Sequence, residues 1–338
     1  MVLALVEHVD GAPGELSLQA LTLARELAGG ERLDALLVGP GARDAAPALG
    51  AYGVGSAHVA EHDGLTFYAP DAWAQTAAEL AGRLEARAVV AAGSERGNEV
   101  LARMAARTGL PLAANCTAAA ADPAAPGQVS GGSAGGSSRT VTVTRVRWGG
   151  SLFEEARLHA DVALLTVAPH MVAATSANGA GAAPVEAFTP SLSEADLLVR
   201  VSEHVPTVSS GVSLAEAKVV ISGGRGVGSA EGFAIIEELA ELLGAAVGCS
   251  RVVTSAGWRP HTDQVGQTGT KVSPDLYIAC GISGATQHIA GCKGAKKIMA
   301  INMDAEAPIL ASADYAVIGD LTEIVPAITA ELRKARAP

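Results

Sequence analysis

Short apolar runs that end in turns rich in Gly, Ser and Thr recur between residues 219 and 302. One run leads into the turn at residues 223–229, a second leads into the turn at residues 281–288, and a third ends at Asn302. Such runs, bounded by such turns, are typical of strands buried in a parallel sheet. Because phosphates and cofactor rings lie at the carboxyl ends of these strands, we expect a nucleotide-binding site in this stretch.

Strand-like and helix-like segments alternate along most of the chain, which predicts the α/β fold class. A chain of 338 residues exceeds the usual size of one domain, so we predict two, each a mostly parallel sheet flanked by helices. The N-terminal α/β domain covers residues 1–205 and the C-terminal domain covers residues 212–338. Residues 170–212 have little periodic pattern and are expected to connect the two domains.

The individual elements follow from apolar periodicity and from the turn residues between them. The predicted strands are residues 2–6, 33–38, 88–92, 140–147, 162–167, 217–221, 276–280, 297–301 and 316–318. The predicted helices are residues 16–27, 73–84, 99–108, 229–243, 284–291 and 321–334.

Other Gly-rich segments of the N-terminal half are not assigned a ligand. The turns at residues 39–41 and 93–94 follow predicted strands, but they lack the full pattern of a phosphate-binding loop. We interpret both as plain strand-to-helix connections. Residues 121–139 are of low complexity and have little to bury, so a flexible Gly/Ser loop is expected there.

The composition argues against several classes of partner. A formal net charge of −11 disfavours nucleic acid or an anionic membrane as the main partner. No apolar run approaches the roughly 18 residues that span a bilayer, so we expect no membrane insertion, and the N-terminus lacks the basic start of a signal peptide. The four cysteines are scattered without metal-ligand spacing. We therefore expect no metal site, reduced thiols and a cytoplasmic location.

The turn at residues 223–229 approaches a dinucleotide-binding fingerprint without matching it. Two of its glycines have the spacing of the first pair in G-x-G-x-x-G, but Ser229 replaces the third. Arg225 lies inside the turn, where a guanidinium can pair with a phosphate or with a carboxylate across an interface. Taken alone, the turn is equally compatible with a tight strand-to-helix connection.

The turn at residues 281–288 offers more groups for a ligand. Ser283 and Thr286 supply hydroxyls, and the start of the following helix supplies unpaired N–H groups suited to a pyrophosphate. The turn is not the G-x-S-x-G elbow of a hydrolase, because Ala285 stands where glycine is needed, and we predict no catalytic residues. His288 alone could be an ordinary helix histidine, but its place after this turn favours a contact with a flavin.

The block between these two turns contains groups suited to a heteroaromatic ring. Gln267 and Thr268 can hydrogen-bond the edge of such a ring, and Ser250 and Arg251 follow an apolar run at residues 245–249. A flavin gains negative charge on reduction, so a cation beside it raises its potential. The set of turns therefore predicts a flavin nucleotide site.

These motifs resemble the electron transfer flavoprotein alpha subunit, the FixB-like family. Residues 276–291 have the form LYIAxGISGAxQHxxG and are followed by IxAIN at residues 298–302, which is a highly specific signature. VVISGGRG at residues 219–226 and QVGQTG at residues 264–269 match the family's other two blocks. The match is strong over residues 212–338 and looser over residues 1–170.

The resemblance implies FAD as the cofactor, bound in a Rossmann-like, DHS-type C-terminal domain. It implies that Arg251 lies over the isoalloxazine ring, that Thr268 lies at the N5 edge and that His288 faces the pyrimidine carbonyl. Residues 283–287 would bind the pyrophosphate and ribityl region. The cofactor-binding residues are then Arg225, Ser250, Arg251, Val265, Gly266, Gln267, Thr268, Gly269, Ser283, Gly284, Ala285, Thr286, Gln287, His288, Asn302, Asp320 and Leu321.

The function that the resemblance implies is electron transfer without substrate turnover by the chain itself. Such a chain pairs with a beta subunit as a heterodimer, accepts electrons from flavin dehydrogenases such as the acyl-CoA dehydrogenases of fatty acid beta-oxidation, and passes them to a membrane quinone oxidoreductase. One alternative is a subunit of an NADH-linked, electron-bifurcating flavoprotein complex. Another is a nucleotide-binding module with no redox role.

Overall fold

The computed structural model describes residues 1–121, 139–150, 152–177, 181–203, 213–215 and 217–336. The chain divides into two compact units, unit 1 (Met1–Val205) and unit 2 (Pro206–Pro338). Both contain a mostly or wholly parallel sheet with helices packed against it, which confirms the predicted fold class. The expected Gly/Ser loop lies outside the described residues apart from its ends: Ala121 ends one strand and Arg139 begins another.

Unit 1 begins with alternating strands and helices and ends in strands. Its described strands are β1 (Val2–Val6), β2 (His8–Val9), β3 (Ala12–Pro13), β4 (Leu33–Val38), β5 (Ala57–Ala60), β6 (Ala88–Ala92), β7 (Leu112–Ala121), β8 (Arg139–Arg147), β9 (Leu152–Ala160), β10 (Ala163–Val167) and β11 (Val185–Phe188). Its described helices are α1 (Glu15–Ala28), α2 (Ala42–Ala45), α3 (Pro70–Arg83) and α4 (Glu95–Thr108).

The main sheet of unit 1 has the strand order β11-β5-β4-β1-β6-β10-β7-β8-β9. Neighbouring strands run parallel except at β7–β8 and β8–β9, which are antiparallel. The central strand β1 is buried on both faces. Val2 and Val6 enter one core, which α1 covers, while Leu3 and Leu5 enter the other, which α3 and α4 cover. This alternation follows from the two-residue period of a strand.

Helices α3 and α4 begin earlier than apolar spacing predicts. α3 begins at Pro70 rather than at residue 73, because proline is well tolerated in a first helical turn. α4 begins at Glu95 rather than at residue 99, because the Ser94 hydroxyl accepts a hydrogen bond from the Gly97 N–H and caps the helix.

Six strands of unit 1 are not predicted from the sequence: the two-residue strands β2 and β3, and the longer strands β5, β7, β9 and β11. β7 contains six alanines and two polar residues, a composition that disfavours a strand, yet it pairs along most of its length with β8. β11 lies inside residues 170–212, so the expectation of a patternless connection is wrong for Val185–Phe188, which extends the sheet through β5.

Unit 2 contains one described sheet of five parallel strands in the order β13-β12-β14-β15-β16. The strands are β12 (Val219–Gly223), β13 (Ala246–Cys249), β14 (Leu276–Cys280), β15 (Ile298–Asn302) and β16 (Tyr315–Ile318). The helices are α5 (Ala234–Leu243), α6 (Arg251–Ser255), α7 (Thr286–Cys292) and α8 (Leu321–Arg336). The four strands predicted in this unit agree with β12, β14, β15 and β16 to within two residues, whereas β13 is not predicted from the sequence.

The helix predicted at residues 229–243 is shorter in the structure. A 3-10 turn at Glu231–Phe233 precedes α5, which begins at Ala234. The Ser229 hydroxyl accepts a hydrogen bond from the Gly232 N–H at 3.2 Å, so it supports the 3-10 turn rather than capping α5, and Ala230 is the N-cap of that turn.

The strand order of unit 2 reverses at one place. The chain moves from β12 to β13 on one side and then returns to β14 on the other side of β12. In open α/β sheets, ligands bind in the crevice outside the carboxyl ends of the strands at such a reversal. The turns that face this crevice begin at Gly224 after β12 and at Gly281 after β14.

The described residues contain no helix that is both long and apolar enough to cross a membrane. They also contain no cluster of three or more His, Cys, Asp or Glu arranged to hold a metal ion. All four cysteines are buried and free.

Candidate functional site

A cavity of about 650 Å³ lies at the carboxyl end of the unit 2 sheet. Its wall is built from the turns after β12, β13, β14 and β15, together with residues 264–268. The volume falls in the range of small-molecule and cofactor pockets. The strand order and the cavity therefore point to the same edge of the sheet.

Most of the residues predicted from the sequence meet in this wall. The predicted residues that line the cavity are Arg225, Ser250, Arg251, Val265, Gly266, Gln267, Thr268, Ser283, Ala285, Gln287, His288 and Asn302. They come from stretches up to 77 positions apart, taking Asn302 and Arg225 as the ends, so the fold alone brings them together.

Two predicted glycines, Gly269 and Gly284, lie behind the wall. A Cβ on Gly269 would lie 2.2 Å from the Gln264 carbonyl oxygen, and a Cβ on Gly284 would lie 2.2 Å from the Ile309 backbone nitrogen. Gly284 also has a positive φ of 86°. The structure therefore explains both glycines by close approach of two stretches of backbone.

Three further predicted residues, Thr286, Asp320 and Leu321, are also outside the lining. Thr286 begins α7. The Asp320 carboxylate accepts hydrogen bonds of 2.8 Å from the N–H and the hydroxyl of Thr322, which lower its pKa, and Leu321 is buried in the core at the start of α8. Asp320 and Leu321 thus position the first turn of α8.

The turns after β12 and β14 touch through their backbones. The Gly224 N–H donates to the Cys280 carbonyl at 2.8 Å, and the Gly226 N–H donates to the Gly281 carbonyl at 3.0 Å. A Cβ on Gly281 would lie 2.7 Å from the Gly226 Cα, and Gly281 has a φ of 63°. These glycines let the two turns meet at the reversal of strand order, with Arg225 and Ser283 beside them at the cavity.

Gln264 is buried at 2 % exposure and organises one side of the wall. Its Oε1 accepts from the Thr254 hydroxyl at 2.8 Å, and its Nε2 donates to the Thr268 hydroxyl oxygen at 3.0 Å. Because Thr268 accepts from Gln264, its own hydroxyl proton is left to donate elsewhere. Thr268 is therefore prepared to act as a donor at the cavity.

Asn302 ties together the turns that follow β14 and β15. Its Nδ2 donates to the Ile282 carbonyl at 2.9 Å, and its Oδ1 accepts from the Asp304 N–H at 3.1 Å. Both ends of the amide are thus used within the protein. The structure gives Asn302 a role in shaping the wall.

Two guanidinium groups at the cavity are free to meet an anion. Ion pairs among the described residues of unit 2 use other cations, among them Arg259, Lys296, Lys297, Arg333 and Lys334. Arg225 and Arg251 have exposed side chains and form no ion pair with the described part of the chain. In a chain of net charge −11, two unpaired cations on one cavity favour a negatively charged ligand.

His288 is a buried, uncharged member of the wall. Its Nε2 lies 2.8 Å from the Tyr277 hydroxyl, and burial lowers its pKa to about 4, although the Val265 backbone opposes this in part. The other ring nitrogen, Nδ1, is buried and forms no hydrogen bond with the described residues. A buried polar atom without a partner is costly, so a ligand that supplies one would be stabilised here.

The cavity also has lining residues that the sequence did not assign to the site. They are Gly226, Val252, Ser255, Gln264, Gly281, Ile282, Asp304 and Ala307. Six of them lie within or beside the motifs described above, so extending each motif by a few residues would have found them. Asp304 and Ala307 follow β15 in a segment with no ligand-binding pattern, and only the fold brings them to the cavity.

The donor set fits a nucleotide that carries a heteroaromatic ring. The Arg225 guanidinium suits a pyrophosphate and the Arg251 guanidinium suits a ring that can gain negative charge, while Thr268, Gln267 and the unpartnered His288 nitrogen suit the polar edge of such a ring. The fold and the site together define an α/β nucleotide-binding protein.

Comparisons with known proteins identify the family. The Electron transfer flavoprotein FAD-binding domain matches residues 213–293, and the Electron transfer flavoprotein domain matches residues 2–193. Electron transfer flavoprotein subunit alpha of Mycobacterium tuberculosis (strain ATCC 25618 / H37Rv) is 40% identical over 338 residues, which cover 99% of this chain and 98% of that protein. The corresponding protein of Bacillus subtilis (strain 168) is 35% identical, with coverages of 98% and 97%.

Protein FixB of Clostridium saccharobutylicum is 34% identical over 334 residues, covering 97% of this chain and 95% of that protein. The chain belongs to the electron transfer flavoprotein alpha-subunit (FixB) family. Its cofactor is FAD, as expected from the sequence.

Proposed function

We propose that this chain is the alpha subunit of a heterodimeric electron transfer flavoprotein and that its FAD occupies the unit 2 cavity. The observation that carries the proposal is the character of the wall: two unpaired guanidiniums and several neutral donors surround one cavity in the FAD-binding domain. Bound FAD supplies reversible uptake of electrons. The residues of the chain need only bind it, orient it and set its potential.

Each side chain has a proposed part in that task. Arg225 binds the pyrophosphate and Arg251 lies beside the isoalloxazine ring, where its charge favours the reduced form. Thr268 donates its free hydroxyl proton to the N5 edge, with Ser250 and Gln267 nearby. His288 donates to the carbonyl of the pyrimidine ring through Nδ1.

The remaining proposed contacts come from the backbone and from residues that shape the wall. The pyrophosphate and ribityl region lies against residues 283–287 and the adenosine end lies near Asn302. The predicted residues behind the wall act by holding these turns in place, and they are Gly269, Gly284, Thr286, Asp320 and Leu321.

The partners of the chain follow from its family. Relatives are named subunit alpha, which supports a beta subunit as the partner in a heterodimer. We propose that flavin dehydrogenases, such as acyl-CoA dehydrogenases, donate electrons and that a membrane quinone oxidoreductase accepts them. The chain is then an electron carrier of the cytoplasm rather than an enzyme with a substrate of its own.

The test is spectroscopic. The chain is produced together with a beta subunit from a relative, and the visible absorption spectrum is recorded before and after addition of reductants. A flavin spectrum that is bleached by an acyl-CoA dehydrogenase with its substrate, and not by NADH, is expected. Bleaching by NADH alone would favour a bifurcating complex, and a colourless pair would contradict the electron-carrier proposal.

A further inference from the structure

Tyr277 lies behind the cavity wall and is hydrogen-bonded to the lining residue His288. It lies in β14, is fully buried, and does not line the cavity. Its hydroxyl is 2.8 Å from His288 Nε2, and the centroids of the two rings are 6.1 Å apart with an interplanar angle of 52°. Since Tyr277 occupies Nε2, Nδ1 is the ring nitrogen of His288 that is left without a hydrogen bond to the described residues.

The direction of this hydrogen bond follows from which of the two groups carries a proton. A neutral imidazole has one N–H donor and one bare nitrogen acceptor, and the tautomer is set by the partners of the two nitrogens. Burial raises the pKa of Tyr277 well above its usual value, so the phenol keeps its proton and needs an acceptor. A bare imidazole nitrogen is a better acceptor than a phenol oxygen, which favours donation from Tyr277 to Nε2.

We propose that Tyr277 is a positioning residue that holds His288 in the tautomer protonated on Nδ1, so that the cavity wall presents an uncharged N–H donor. The Nδ1 proton explains why that buried nitrogen is unpartnered in the chain: its acceptor is the ligand. Identifying that acceptor as a carbonyl of the flavin ring rests on the proposed function, whereas the tautomer is a property of the chain alone.

The tautomer is measured by NMR on the full chain labelled with 15N in its histidine rings. Protonated and bare ring nitrogens have widely separated 15N shifts, and the His288 signals are those that vanish in His288→Asn. In the native chain we expect Nδ1 to be protonated and Nε2 bare. In Tyr277→Phe the Nδ1 proton should be lost from most molecules, because a free imidazole prefers the proton on Nε2.

A matched control removes a tyrosine hydroxyl elsewhere. The Tyr68 hydroxyl donates to Glu99 at 2.9 Å in unit 1, so Tyr68→Phe makes the same chemical change away from the cavity. It should leave the His288 signals unchanged. A second measurement on the same variants is the flavin potential, which should fall in Tyr277→Phe and stay constant in Tyr68→Phe.

The possible results distinguish a failure of the role of Tyr277 from a failure of the proposed function. A native His288 protonated on Nε2, or a tautomer unchanged in Tyr277→Phe, would overturn the role of Tyr277, and the first of these needs no variant to fold. If purified native protein holds no flavin, the proposed function fails, while the tautomer measured in that same sample still decides the role of Tyr277.

Discussion

Both units place glycine turns and polar side chains at the carboxyl ends of parallel strands, but they use them differently. In unit 1 several of these groups bind one another, although His8 Nδ1, just after β1, is buried without a hydrogen bond to the described residues. The Ser94 hydroxyl donates to the Glu7 carboxylate, the Asn98 amide donates to the Gly93 carbonyl at 3.0 Å, and the Thr166 hydroxyl donates to Asn98 Oδ1 at 2.7 Å. The turns at this edge of unit 1 are therefore held by hydrogen bonds within the protein.

In unit 2 the corresponding edge leaves groups unused. Arg225 and Arg251 have no ion pair within the described chain, Thr268 retains a donor proton, and His288 Nδ1 has no partner. The difference shows that a glycine turn after a strand reports close backbone packing, whereas a ligand site is revealed by polar groups left without partners at a cavity.

The largest expected effect tests the packing of the unit 2 turns. Gly281 and Gly244 both have a φ of 63°, but an added Cβ meets the Gly226 Cα at 2.7 Å in the first case and nothing within 4 Å in the second. Gly281→Ala should lower the unfolding free energy by about 4 kcal/mol, the sum of left-handed strain and overpacking. Gly244→Ala should cost only about 1 kcal/mol. Urea unfolding measures both, and equal losses would contradict the backbone contact.

The second prediction concerns acid stability in unit 2. Burial lowers the pKa of His288 to about 4 from 6.5, so the folded chain resists a proton that the unfolded chain accepts. Stability should therefore be complete above pH 6.5 and fall as the pH drops towards 4, by up to about 3 kcal/mol. Urea unfolding between pH 7 and pH 4 measures this loss. The slope should be smaller in His288→Asn, and an identical slope would show that His288 titrates normally.

A third, smaller effect concerns the cation beside the ring. Arg251→Ala should lower the flavin potential by roughly 60 mV per one-electron step, equivalent to about 1.4 kcal/mol, because an exposed charge is partly screened. Arg333, which pairs with Glu238 at 2.8 Å, provides the control. Arg333→Ala should leave the potential unchanged. A potentiometric titration that finds no shift for Arg251→Ala would remove Arg251 from the ring.

The smallest effect is expected in unit 1. Burial raises the pKa of Glu7, while the Ser94 hydroxyl and Arg96 oppose the shift. A raised pKa contributes stability below the unfolded value that is lost as the pH rises through the folded value. Glu7→Gln removes this loss, so stability at pH 7 should rise by less than about 1 kcal/mol, measured by urea unfolding. The FAD content should not change. A loss of FAD would contradict the account in which only unit 2 binds the cofactor.

The sequence predicts four of the five described strands of unit 2, all but β13, because apolar runs and turn residues are local signals. It does not predict β7, since this alanine-rich segment becomes a strand through pairing with its two neighbours, β8 and β10. The candidate site is likewise predicted where the signal is local and missed where it depends on the fold. Arg251 and Thr268 follow from local motifs, but the role of Gln264 depends on Thr254 and Thr268 lying on either side of it in the fold.

The glycines show most clearly why a motif can assign a residue to a ligand that the residue does not contact. Gly284 lies in the signature and is predicted to bind the cofactor. The atom nearest to a Cβ added at Gly284, however, is the backbone nitrogen of Ile309, which is distant in sequence. A glycine in a motif indicates that a side chain would not fit at that position. It does not indicate whether the side chain would clash with a ligand or with another part of the chain.

The most direct test of the account is a titration of the flavin-free full chain with FAD, followed by flavin fluorescence. The Ser283 side chain lies exposed on the cavity wall, so Ser283→Trp fills the cavity while circular dichroism checks that the fold is kept. We predict one FAD bound per native chain and none in Ser283→Trp. Normal FAD binding by a folded Ser283→Trp would contradict the placement of FAD in the unit 2 cavity.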